Sequence, residues 1–379
     1  MKQTKKMKKA VNSFFYILAM IFMLFGCSSP EAENPSFPTL SRDAVTNFDA
    51  FWYGVSDNYM FFPYHTLNWD DVYTQYRPKI TASMSETDLR NVILEIMNKL
   101  IDGHKALVIE DESYGVFTEE YINKHPLVLT DSIVTANYID TSIIIRYAFQ
   151  ENSSFFQEGY LSRMKNNKSI AYFRYYTFRN AFEFAEQNDN LKENLNILQR
   201  SSSYNGLILD LRQNGGGDAI AFKNLVAKFV QGSYNWGFSK FRLSRDRYDA
   251  TPFISEVIDA DVKDNVYFTK PLVILTDRYS FSAAEVTALA LRNLPNVVII
   301  GDTTGGAQGP ISPNKDYTGN FKMPNGWVVQ LAQKATFDKN KNIFEGQGLP
   351  PDIYVKPSPT AAAEGRDNVL DRAVEYISK

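Results

Sequence analysis

The sequence predicts an α/β fold, and three observations lead there. Apolar runs that read as strands, "IAYFRYYTF" (170–178), "GLILDL" (206–211), "PLVILT" (271–276) and "NVVIIGD" (296–302), alternate with helix-like segments at 181–199, 218–231 and 282–293. That succession implies a mainly parallel sheet covered by helices on both faces. Residues 43–104 read as helical and predict a small N-terminal helical domain. With 379 residues, 44% hydrophobic and 22% charged, the chain has material for a substantial core and lacks the bias of a disordered or fibrous protein.

In chain order, the first 26 residues hold five lysines and no acid, and close on the apolar run "SFFYILAMIFMLFG" (13–26). A basic start and a short apolar stretch make residues 1–26 a secretory signal, too short for a comfortable membrane span. Cys27, the only cysteine, follows in "LFGCSSP", which resembles the bacterial lipobox, where the cysteine is acylated and becomes the first mature residue. The expectation is an exported lipoprotein, membrane-anchored through Cys27 and facing periplasm or cell surface. A cleaved soluble signal and an uncleaved anchor are the competing readings. Residues 27–42 form a polar, proline-bearing tether. Without the five N-terminal lysines the net charge of −3 becomes −8, which argues against nucleic acid as a partner.

Phe48, Phe51, Trp52 and Val55 mark one face of a first helix, and a second is expected from near Trp69 to before Pro78. The third carries Ser85 and Asp88 as a capping pair, a stripe from Leu89 to Leu100, and Gly103 as C-cap. Residues 105–165 predict an irregular β-rich segment with "HPLVLT" and "SIIIRYAF" as β pieces. Residues 166–379 form the alternating core, to which "WVVQLAQ" adds a strand and "DNVLDRAVEYI" a closing amphipathic helix.

Ligands of open α/β sheets gather at the carboxyl ends of strands. Two such ends are unusual. "LDLRQNGGG" places Gly215, Gly216 and Gly217 at a strand-to-helix turn, where bare backbone N–H groups are accessible. "LTDRYSFSAAE" places Ser282 at the start of a helix, whose free N–H groups and dipole suit a developing oxyanion. The plain alternative is that Ser280 or Ser282 is only an N-cap. The glycines lack the spacing of a dinucleotide fingerprint and the lysine of a P-loop. No metal or cofactor is implied, because His65, His104 and His125 are scattered, HExxH is missing, and one cysteine cannot build a thiolate site.

Four stretches in this order, "GLILDLRQNGGG", "LTDRYSFSAAE", "IIGDTTGGAQG" and "EGQGLPPDIYV", resemble the core of the C-terminal processing peptidase and tricorn protease family. "WDDVYTQYRPKI" and "LIDGHKALV" are similar to the helical N-terminal region of its bacterial members, so the resemblance spans roughly residues 43–378. It implies a crotonase-like α/β spiral core in 166–379, endopeptidase activity and Ser282 as nucleophile. Tail-specific members use a lysine as base, but the matching position is Ala307, and Lys315 and Lys322 lie in a different context. The tricorn-like pattern implies instead His104 as base and Glu345 as the carboxylate that orients it. It also implies an oxyanion hole from Gly216 and Ala283, with glycine required because a Cβ would obstruct the substrate carbonyl.

His104 read alone is equally a structural histidine, Glu345 a solvated surface glutamate, and Asp102 a turn residue rather than a partner. Asp210 and Arg212 are expected to be structural. Residues 105–165 show no clear PDZ domain, which puts tail recognition in doubt and favours peptides or partly unfolded proteins as substrates. The family resemblance also includes retinoid-binding repeats, so a noncatalytic binding lipoprotein for peptide or apolar ligands is the alternative.

Overall fold

The computed structural model describes residues 42–110, 112–115, 119–128, 131–151, 154–178, 185–260, 266–311, 319–332 and 334–379. The expected signal, Cys27 and the tether up to residue 41 lie outside them, as does Lys315. Among the described residues no helix is long and apolar enough to cross a membrane.

The strands are β1 (Ala106–Ile109), β2 (Glu112–Tyr114), β3 (Ile145–Glu151), β4 (Ser154–Arg163), β5 (Ile170–Tyr175), β6 (Gly206–Asp210) and β7 (Gly232–Phe241). They continue as β8 (Ile254–Ala260), β9 (Leu272–Thr276), β10 (Val297–Gly301), β11 (Phe321–Lys322), β12 (Val328–Gln330), β13 (Lys334–Phe337) and β14 (Ile353–Tyr354). The central sheet has seven strands in the order β14-β10-β9-β6-β5-β4-β3. Pairing is parallel from β14 to β5 and antiparallel through β4 and β3.

Alternation along each strand decides which face a side chain serves. In β6, Leu207 and Leu209 join the core formed with the helices Ala185–Arg200, Ala219–Ala227 and Ala283–Leu291. Ile208 points to the opposite core, closed by Val369, Leu370 and Ala373 of the helix Asn368–Ile377 and by Val134 of the helix Asp131–Tyr138. Both faces are therefore covered, which is why β5, β6 and β9 are buried at every position.

The N-terminal helices run Ala44–Asn58, Trp69–Tyr76 and Glu86–Met97. Their apolar stripes pack together with Leu107, Val329, Leu331 and Phe337, so this helical layer shares its core with strands from the far end of the sequence. Trp52 and Trp69 stack 6.3 Å apart, and each indole N–H donates to the other's carbonyl at 3.0 Å.

Two expectations are corrected. The third helix ends with Asn98 as its C-cap, and Gly103 belongs to a separate turn. The described part of "HPLVLT", residues 125–128, is irregular rather than a strand and follows the helix Glu119–Lys124. "SIIIRYAF" does reach β3, and "WVVQLAQ" reaches β12, but the latter joins a small sheet of order β11-β12-β1-β2.

Candidate active site

Parallel neighbours β6 and β9 send their carboxyl-end loops to the same place. Those loops are stitched together: Phe281 N donates to Asn214 O at 2.9 Å, Gln213 N to Asp277 Oδ1 at 2.9 Å, and Ser280 Oγ to Leu211 O at 2.9 Å. Ser280 is thus spent on structure. Ser282, half-buried, is the N-cap of the helix Ala283–Leu291 and has φ 56° and ψ −121°. That conformation is nearly closed to residues with a Cβ and costs about 1–3 kcal/mol, a strain that folds tolerate where function uses it. A sharp, strained strand-to-helix turn is how hydrolases expose a nucleophilic serine.

The glycine turn lies directly against it. A Cβ on Gly216, whose φ is +90°, would sit 2.6 Å from Ser282 Cβ, 2.7 Å from Phe281 O and 2.9 Å from Ala283 N. Glycine is needed here so that the turn can reach the serine itself, before any substrate arrives. The expected hole is half formed. Among the described residues no hydrogen bond engages the Ala283 N–H, but the Gly216 N–H donates to Asn214 Oδ1 at 2.8 Å. In this conformation the Gly216 donor is occupied, which corrects the expectation that it stands free for a carbonyl.

The turn carrying His104 is built by carboxylates. Asp102 accepts the His104 N–H at 2.7 Å and the Ala332 N–H at 2.6 Å. Glu345 is 2% exposed, so it is no surface glutamate, and it accepts from Gly103 N at 2.8 Å, Gln308 N at 2.9 Å and Gly309 N at 2.7 Å. The His104 imidazole and both carboxylates have polar atoms within 4.8 Å of one another. Among the described residues, however, no hydrogen bond joins the ring to either carboxylate or to Ser282, and His104 Nδ1 is buried without a partner. The three groups are close enough to share a cation, but all four carboxylate oxygens already accept backbone N–H groups, which is the work of a turn.

Burial sets the proton affinities. It pulls the His104 imidazole down to about 4, against the opposing pull of the Gly309 backbone, so the ring is neutral at pH 7. It pushes Glu345 well above the usual carboxyl range, and the nearby Asp102 charge adds to that.

Ala307, at the position a lysine base would occupy, is fully buried against the histidine turn: a Cβ on Gly103 would lie 2.5 Å from Ala307 Cβ. Of the other histidines, His125 follows a helix whose Tyr121 donates to Arg278 O at 2.7 Å and meets the Phe281 ring at 6.2 Å. Behind the glycine turn, Asp210 is gripped by Arg212 at 2.6 Å and Arg174 at 2.9 Å, and Arg212 also reaches Asp367 at 2.9 Å. Burial alone would raise Asp210; the two guanidiniums overcome it and hold the carboxyl well below its ordinary range. The expected structural role of Asp210 and Arg212 fits this geometry.

A serine on a strained strand-to-helix turn beside an unengaged N–H is a feature of the serine hydrolase class, and a neutral histidine stands beside a buried glutamate. Comparisons with known proteins agree with that class. Peptidase family S41 matches residues 169–355, and the tricorn protease C1 domain matches residues 42–98. The chain belongs to the S41 peptidase family, within the C-terminal processing peptidase and tricorn group.

Carboxy-terminal processing protease CtpA of Bacillus subtilis is 33% identical over 39% of this chain and 28% of its own. Tricorn protease of Thermoplasma volcanium is 20% identical over 93% of this chain and 38% of its own. A solved structure from Parabacteroides merdae has the same fold, with a TM-score of 0.74 at 23% identity over 89% of this chain and 97% of its own. The chain spans between 15% and 57% of the length of the curated relatives it matches.

The sequence singled out Ser282, Ala283, Gly216, His104 and Glu345. The structure brings the first three together in one place and the last two together in another. It adds Asn214, which holds the Gly216 N–H, and Glu285, which accepts the Ser282 N–H at 3.1 Å. The spacing of Ser282 and Glu285 is that of a capping box, which was the available signal for Glu285.

Proposed function

We propose that the protein is a serine endopeptidase of the bacterial cell envelope, cutting peptides or partly unfolded proteins, on a crotonase-like spiral core. The observation that carries this reading is the left-handed backbone of Ser282 at the head of a helix, next to the unengaged Ala283 N–H. In this reading Ser282 Oγ attacks the peptide carbonyl while His104 takes its proton. The same proton then leaves with the amine, and a water activated by His104 hydrolyses the acyl-enzyme. Glu345 stabilises the charged imidazolium. The envelope location rests on the N-terminal signal and on Cys27 as lipid anchor.

The unpartnered Nδ1 of His104 and the occupied Gly216 N–H give specific support to a second reading, a noncatalytic binding lipoprotein. Cleavage of casein by the full-length protein beside its Ser282→Ala variant separates the two. Loss of cleavage in the variant establishes the peptidase. If neither protein cuts and a fluorophosphonate does not label Ser282, the binder is left standing.

A further inference from the structure

Glu285 is fully buried, and four donors converge on its carboxylate. Oε1 accepts from Thr304 Oγ1 at 2.5 Å and Gly306 N at 2.8 Å, and Oε2 from Ala307 N at 2.7 Å and Ser282 N at 3.1 Å. A capping glutamate ordinarily answers only the N–H of its own N-cap. Here that bond is the longest of the four, and the other three reach a loop some twenty residues downstream.

That loop in turn holds the remaining parts of the site. Thr304 Oγ1 accepts from Leu349 N at 2.7 Å, and Gly306 O accepts from Gly346 N at 2.8 Å, so both contacts hold the segment that carries Glu345. Ala307 and Gly306 abut Gly103, where an added Cβ would come within 2.5 Å of Ala307 Cβ and 2.3 Å of Gly306 O. Gly103 immediately precedes His104. Each segment that bears Ser282, His104 or Glu345 is therefore at most two contacts from one carboxylate.

We infer that Glu285 is the positioning residue of this site, setting the separation of nucleophile, base and orienting acid through the loop 303–307. The inference rests on the peptidase reading above. A purely structural cap would support the helix and nothing else. A positioning group controls how often Ser282 and His104 come into register, which appears in kcat rather than in substrate binding. Loop 303–307 has other ties: Thr304 N donates to Leu349 O at 3.1 Å, Gly305 N to Ser280 O at 3.0 Å, Thr303 N to Asp302 Oδ1 at 2.7 Å and Arg278 Nη1 to Thr304 O at 3.4 Å. None of these engages the Ser282 N–H or the histidine turn.

Glu285→Gln keeps the side chain's size but places an NH₂ against donors on whichever oxygen it replaces. For the full-length protein, kcat on a casein-derived peptide is expected to fall about a hundredfold with KM within about threefold, per folded molecule as measured by thermal melting. Fluorophosphonate labelling of Ser282 should slow by a similar factor. A kcat within about threefold of the parent overturns the inference and leaves Glu285 a helix cap. If Glu285→Gln does not fold, Thr304→Val removes one donor to Glu285 and with it the acceptor of the Leu349 N–H, the route by which Glu285 reaches the Glu345 segment, with about a tenfold loss of kcat expected and a loss under twofold overturning the idea. Failure of the peptidase reading is seen in the parent protein itself, which would neither cut nor label, and this sinks both proposals together. A parent that cuts beside a variant that cuts equally well sinks only this one.

Discussion

Around Ser282 the backbone is bent into a region that side chains avoid, and the Gly216 and Ser282 N–H groups are paired; around His104 two carboxylates tie the turn, while the ring nitrogen Nδ1 goes without a partner. Ser282, the proposed nucleophile, is placed by main-chain geometry, and His104, the proposed base, by the carboxylates that tie its turn. One side has no freedom to adjust. The other has a ring whose Nδ1 no hydrogen bond fixes. Substitutions on the two sides should accordingly fail in different ways.

The largest effect is expected from Ser282→Ala, with a loss of about 10⁴-fold or more in kcat. His104→Ala should cost nearly as much, and the double variant no more than Ser282→Ala alone, because the two act as a unit. A double variant much worse than either single one would show that they work separately.

Gly216→Ala comes next. Its φ of +90° and the 2.6 Å approach to Ser282 Cβ predict a loss of about a hundredfold in kcat, with destabilisation of about 1–3 kcal/mol measured by urea unfolding. Activity close to that of the parent would show that the glycine turn is not part of the nucleophile's placement. On the base side, Glu345→Gln leaves a single acceptor oxygen for three backbone N–H groups. We expect about 1–3 kcal/mol of lost stability and about a tenfold loss of kcat. If stability is untouched, the glutamate does not hold the histidine turn.

The smallest effect is the most diagnostic. With the imidazole pulled down to about 4, the acid limb of kcat/KM should fall near pH 4. The same depression makes stability decline as the pH drops from about 6.5 toward 4, because the unfolded chain binds a proton that the folded ring refuses. Melts of the parent and of His104→Gln over that range should diverge. An acid limb near 6.5 would place the ring in water rather than in its enclosure.

Much of the fold was legible because β5, β6 and β9 are buried on both faces and so leave uninterrupted apolar runs. Helix starts were legible where an acceptor side chain precedes an apolar stripe, as at Ser85. Gly103 misled because a glycine after a stripe satisfies the C-cap rule, whereas its real constraint is Ala307, some two hundred residues away. "HPLVLT" misled because a short apolar run has no period of its own to distinguish strand from connection. Ser282 and its glycine turn could be read from strand ends. The meeting of His104 with Glu345 could be reached only by resemblance, since nothing local in either segment points to the other. Asn214 was invisible in its new role, because its side chain answers a backbone group that looks free on paper.

The Gly103–Glu345 bond spans 242 positions, and the N-terminal helices share their core with Val329, Leu331 and Phe337. A chain emerging from the ribosome therefore makes its first helices long before it makes what they pack on. Such distant pairings form slowly. A chain that stops short of residue 345 contains Ser282 and His104 but lacks the carboxylate that accepts the Gly103 N–H. Order of synthesis therefore bears on the proposed site: the histidine turn gains its Glu345 anchor only once residue 345 has been made.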